Sequence, residues 1–149
     1  MFERLVVGVD GSDHSYKAVK YACDIANLAG SRILLVCVYR PMRMPDSTHS
    51  LVRPQLHPDP ADTGMHAIAK EVVEGAARFA REQGIDAEKV ETYVRHGPTA
   101  RTLAGFAAQH NANAILVGGR GLGDISAFML GSVSHKLATM AECSVILVK

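Results

Sequence analysis

The sequence predicts an α/β protein in which parallel strands alternate with helices, and three observations carry that prediction. Short apolar, β-branched runs recur along the chain with amphipathic stretches between them, giving the order β-α-β-α-β-α-β-α-β. The runs are apolar almost throughout, as strands buried on both faces of a parallel sheet must be, and the intervening helices supply the crossovers of a dozen or more residues that parallel neighbours require. The chain has 149 residues, the length of one ordinary domain, and can bury a core without disulfides or metals. A single domain over residues 1–149 is therefore expected.

Arg4-Leu5-Val6-Val7-Gly8-Val9 reads as the first strand and ends in Asp10-Gly11-Ser12-Asp13, a cluster of turn and cap residues that should start a helix. Ala18, Ala22, Ile25, Ala26 and Ala29 recur at helical steps, and Gly30 is placed to end that helix in a left-handed conformation. Ile33-Leu34-Leu35-Val36-Cys37-Val38 is a continuous apolar strand. Residues 40–62 hold five of the six prolines, show no period, and read as one long loop. Met65, Ile68, Ala69, Val72, Ala76, Phe79 and Ala80 mark an amphipathic helix that stops near Gly84. Val90-Glu91-Thr92-Tyr93-Val94 alternates as a strand does, and Gly97-Pro98-Thr99 opens a helix with Ala100, Leu103, Phe106 and Ala107 on its inner face. Ala114-Ile115-Leu116-Val117 is the fourth strand, Val133, Leu137 and Met140 mark the last helix, and Val145-Ile146-Leu147-Val148 is the fifth strand.

Composition narrows the function. Lys and Arg number 16 against 15 Asp and Glu, a net charge of +1 with the charges scattered, so neither a nucleic-acid stripe nor a polybasic membrane patch is evident. Trp is absent and aromatics make up 5%, which argues against a stacking platform for single strands. No signal-like start and no apolar run of membrane-spanning length is present, and a cytoplasmic protein without membrane or nucleic-acid partners is expected. Cys23, Cys37 and Cys143 show no paired spacing and read as small buried hydrophobes. His49, His57 and His66 lie at spacings that match no metal-ligand pattern, so no metal held by protein side chains is expected.

The chemistry-bearing segment follows the fourth strand. Gly118-Gly119-Arg120-Gly121 is separated by nine residues from Gly131-Ser132, and a helix begins there. A glycine-rich loop between a buried strand and a helix N-terminus clusters bare backbone N–H groups around an anion, for which a nucleotide phosphate is the natural guest. A Walker A loop is excluded because no Gly-Lys pair occurs in the chain. The dinucleotide fingerprint fails as well, since its third glycine would fall on Asp124 or Ser126. In an open parallel sheet the ligand sits beyond the carboxyl ends of the strands where the winding reverses, which would bring Asp10 and Gly118 to one cleft.

The loop Gly118, Gly121, Gly131-Ser132, the opening Val7-Gly8-Val9-Asp10-Gly11-Ser12 and the ending Cys143-Ser144-Val145-Ile146-Leu147-Val148 together resemble the ATP-binding branch of the universal stress protein family, over nearly the whole chain. The resemblance implies an adenine nucleotide alpha hydrolase-like fold, a five-stranded parallel sheet in the order 3-2-1-4-5 with helices on both faces. It implies a site for ATP, or for ADP or AMP, with or without Mg. Val9 and Asp10 would flank the adenosine, the Asp10 carboxylate accepting from ribose hydroxyls, with Val38 and Val117 on the adenine side. N–H groups from Gly118, Gly119, Arg120 and Gly121, and from Gly131, Ser132, Val133 and Ser134, would hold the phosphates together with the Ser132 and Ser134 hydroxyls. Arg120 reads equally as a charge on the phosphates and as a solvated loop arginine, Asp10 also as a turn former, and Ser12 and Asp13 as helix caps. The chain departs from the family where prolines commonly flank the cysteine, since Glu142 and Ser144 stand there.

The function expected from this resemblance is a stress-response or signalling protein whose conformation or choice of protein partner depends on bound nucleotide. The alternative is a slow ATPase or autophosphorylating enzyme on the same site, for which His96, His135, Ser132 and Ser134 are the candidates, although they form no recognisable constellation. A phospho-acceptor receiver would need an aspartate after the third strand, where Arg95-His96-Gly97 stands. In the order 3-2-1-4-5 the segment 144–148 is an uncovered edge, and a homodimer paired through it is expected.

Overall fold

The computed structural model describes residues 1–40, 60–119 and 132–149. Five strands, β1 (Arg4–Gly8), β2 (Arg32–Tyr39), β3 (Val90–His96), β4 (Ala114–Gly118) and β5 (Ser144–Val148), form one parallel sheet in the order β3-β2-β1-β4-β5. Among the described residues four helices, α1 (Asp13–Ala29), α2 (Pro60–Glu82), α3 (Thr99–Gln109) and α4 (Ser132–Met140), lie between them. The expected class and strand order are found, and the four expected helices are present among the described residues.

Side chains on the central strands alternate between two cores. Leu5, Val7, Ile33, Leu35, Ala114 and Leu116 face α1 and α2, while Val6, Leu34, Val36, Ile115 and Val117 face α3 and α4. That is the period of two expected of a strand, and because both faces are covered it reads in sequence as an unbroken apolar run. The edge strands are only partly buried, and on β3 Val90 and Val94 pack against the first core while Tyr93 packs against the second. On it, Glu91 accepts from the Tyr93 hydroxyl at 2.5 Å and from Arg32 Nη2 at 2.7 Å, which joins β3 to the start of β2. The Tyr93 bond, with the Arg32 bond second, holds the Glu91 carboxyl below its ordinary range.

Helix α1 begins where the cap residues predict. The Ser12 Oγ accepts from the Ser15 N–H at 3.2 Å, and Gly30 closes the helix at φ 72° with its N–H donating to the Ala26 carbonyl. The expected loop over 40–62 is shortened, because α2 already begins at Pro60; proline is tolerated in a first helical turn, where its missing N–H would have no partner. The rest of that loop lies outside the described residues. The face of α2 is also shifted: Ala69, Val73, Ala76, Ala77 and Ala80 are buried, whereas Ile68 is 59% exposed. A one-turn 3₁₀ segment, Ala87–Lys89, precedes β3 and carries no signal in the sequence pattern.

Of the cysteines, Cys23 and Cys37 are buried as expected and Cys143 is half-buried. Burial pushes both the Cys23 and the Cys37 thiols up to about 11; the Asp24 charge adds to the first and the Asp10 charge to the second.

Candidate functional site

The carboxyl ends of β1 and β4 are neighbours, since these strands pair with Val7 beside Leu116. Winding reverses at this point, because β2 lies on one side of β1 and β4 on the other. Val9 and Val117, each 5% exposed, stand just below the rim and Val38 is half-buried at the end of β2. The Val9 N–H donates to the Val36 carbonyl at 2.9 Å, so the chain stays extended up to Asp10.

Asp10 then turns the chain. Its Oδ1 accepts from the Ser12 N–H at 2.9 Å, an Asx turn that feeds directly into the Ser12 cap. The turn-forming reading of Asp10 is therefore present in the structure, and so is the capping reading of Ser12. An ionised carboxylate has about four lone-pair sites, so the turn does not exhaust its capacity to accept from a ligand hydroxyl. Burial, with the Asp10 charge second, raises the neighbouring Cys37 thiol and keeps it protonated at neutral pH.

Gly118 ends β4 against the first turn of α1. A Cβ built on it would lie 2.7 Å from the His14 carbonyl carbon and 2.8 Å from its oxygen, so a side chain there would force two backbones apart. This contact brings the first turn of α1 to the end of β4. Sequence reasoning missed His14, whose Nδ1 is buried without a hydrogen-bond partner among the described residues. No motif marks it, because its surroundings exist only once β4 has packed against α1.

On the other face, the Ser134 hydroxyl donates to the Gly118 carbonyl at 3.3 Å, and Ser134 is 2% exposed. That bond fastens the first turn of α4 to the end of β4, giving Ser134 a structural role beside the phosphate role the resemblance implies. Ser132 is exposed and Val133 half-buried in the same turn. The Gly119 N–H, expected to face phosphate, donates instead to the Val148 carbonyl at 2.6 Å, extending the ladder between β4 and β5. Arg120, Gly121 and Gly131 lie outside the described residues.

The residues proposed for catalysis are not assembled. His96 ends β3, three strand spacings or about 14 Å from β4, and its ring lies 6.1 Å from that of Tyr39. His135 is exposed and adjacent to Ser134 in α4, where consecutive residues do not face one another. Among the described residues no three His, Cys, Asp or Glu side chains are grouped to hold a metal, and no helix is long and apolar enough to cross a membrane.

The model of the Universal stress protein family matches residues 1–149. Universal stress protein YxiE of Bacillus subtilis is 30% identical over 151 residues, covering 100% of both chains. A solved universal stress protein in complex with cAMP is 26% identical, with 99% of this chain and 96% of that chain covered and a TM-score of 0.68. The universal stress protein of Archaeoglobus fulgidus solved with dAMP is 22% identical with a TM-score of 0.70 and 100% of each chain covered, a likeness of fold alone.

Proposed function

Because this chain belongs to the universal stress protein family, we propose that it is an adenine-nucleotide-binding protein of the ATP-binding branch, acting in stress response or signalling. The observation that carries the reading is the meeting of the Asp10 turn, the bare end of β4 at Gly118 and the first turn of α4 at one point of winding reversal. The relative of known structure in complex with cAMP supports the same ligand class. In this reading Asp10 accepts from ribose hydroxyls, with Val9, Val38 and Val117 around the adenosine. Phosphates lie against N–H groups at Gly118, Arg120, Gly121, Gly131, Ser132, Val133 and Ser134. Gly119 is withdrawn from that set, since its N–H already has the Val148 carbonyl. When Mg accompanies ATP it is held by the nucleotide. The chain works as one domain whose conformation and partner choice follow the nucleotide.

Calorimetry with ATP, ADP, AMP and cAMP, together with native mass spectrometry of freshly purified protein, tests the reading. One adenine nucleotide should bind per chain, and Gly121→Val or Gly131→Val should abolish binding while leaving circular dichroism unchanged. Unaltered affinity in both variants would remove the site. Turnover should be slow or absent, well under the 1 to 1,000 per second that is roughly usual for enzymes, because no base and nucleophile pair is evident among the described residues: His96 stands about 14 Å from β4, and His135 does not face its neighbour Ser134.

A further inference from the structure

Away from that cleft, α1 and α2 leave between them a groove of about 500 Å³, within the range that takes small ligands. Tyr16 lines it from α1, and Glu71, Val72, Glu74, Gly75 and Arg78 line it from α2. Glu71 and Arg78 make no ion pair among the described residues, and Glu74 meets only Lys70, at 3.9 Å. The spacing from Glu74 to Arg78 is that of a helical salt bridge, yet the pair is not made. The guanidinium reaches instead toward Gly75, where a Cβ would lie 3.7 Å from Arg78 Nη2 and 3.0 Å from the Tyr16 hydroxyl. Glycine in a helix interior costs about 1 kcal/mol relative to alanine. Here it keeps open the space that the phenol and the guanidinium share.

We propose that this groove binds the zwitterion of a short extended peptide, with its ammonium between Glu71 and Glu74 and its carboxylate on Arg78. The dimensions agree. From midway between Glu71 and Glu74 to Arg78 the helix rises about 8 Å, and an extended peptide of two to three residues spans about 7–10 Å. Unlike charges at the two ends set the direction of the peptide, and the exposed Ile68 with Val72 and the Tyr16 ring receives its apolar middle. A nucleotide is disfavoured here, because its phosphates would meet two carboxylates. The groove reaches Gly11, one residue past Asp10, so its occupant touches the turn that leads to the cleft.

Nuclear magnetic resonance titration of the full chain with Ala-Leu-Ala, carried out without nucleotide, tests this site separately from the proposed function. Saturable shifts are expected at Gly11, Gly75 and Arg78, with affinity falling roughly tenfold when either peptide end is capped. Arg78→Gln should erase the effect of amidating the carboxylate, and Glu71→Gln with Glu74→Gln should erase the effect of acetylating the amine. All three side chains belong to exposed residues, so the variants keep the fold, as circular dichroism will verify. No saturable shift through the millimolar range, shifts confined to the ends of β1 and β4, or equal binding of the capped peptide would each overturn the assignment.

Discussion

At the scale of single residues, the site is shaped by what cannot be added as much as by what is there. Gly118→Ala puts a methyl group within 2.7 Å of the His14 backbone, a contact that no rotamer change relieves. Such overpacking costs about 1–3 kcal/mol, which chemical denaturation should show as a lower midpoint with an unchanged slope. The thiols supply a pH dependence. Burial raises Cys23 and Cys37 from 9.0 to about 11, so the folded chain holds protons that the unfolded chain releases over that interval. The stability they contribute is complete below pH 9 and is lost as pH rises toward 11. Denaturation midpoints should fall across this window, and less so in Cys23→Ala and Cys37→Ala. Alkylation at neutral pH should reach the half-buried Cys143 first.

At the scale of elements, the exposed edges and the caps decide what can be tested. Strand β5 closes one side of the sheet and carries no charge before Lys149, which invites the paired dimer we propose. The Ser144 N–H donates to the Asn113 carbonyl and the Val148 carbonyl accepts from Gly119, so residues 144, 146 and 148 turn their backbone groups toward β4. Val145 and Leu147 therefore present theirs at the open edge. Leu147→Pro removes an edge donor without touching the ladder to β4, and light scattering should then report a monomer if β5 is the seam. A folded, dimeric variant would place the seam elsewhere. For α1, Ser12→Ala removes the oxygen that accepts from the Ser15 N–H and should cost about 1 kcal/mol in thermal or denaturant unfolding.

At the scale of the whole molecule, nucleotide binding to the folded chain alone must raise its stability. At a ligand concentration one hundred times the dissociation constant the gain is about 2.7 kcal/mol, a rise of several degrees in Tm for a chain of this length. Differential scanning fluorimetry with an extrinsic dye should show it for ATP, and Gly131→Val should abolish it. Much of this architecture was legible in the sequence, because strands buried on both faces must be written as apolar runs and helix ends as Ser12 and Gly30. Composition and periodicity alone set the alternation of strands and helices; the order 3-2-1-4-5 came with the family resemblance. The glycine spacing and the Asp10 turn marked where a ligand would sit, since both are local demands on the backbone. What the tertiary structure decided are matters of contact between distant segments: that His14 backs onto Gly118, that the Gly119 N–H is spent on Val148, and that Ser134 is tied to β4. It also decided that Ile68 stays outside while Val73 goes in, leaving a groove between two helices. Local pattern fixes which atoms each residue offers, but only packing determines which of them are already taken.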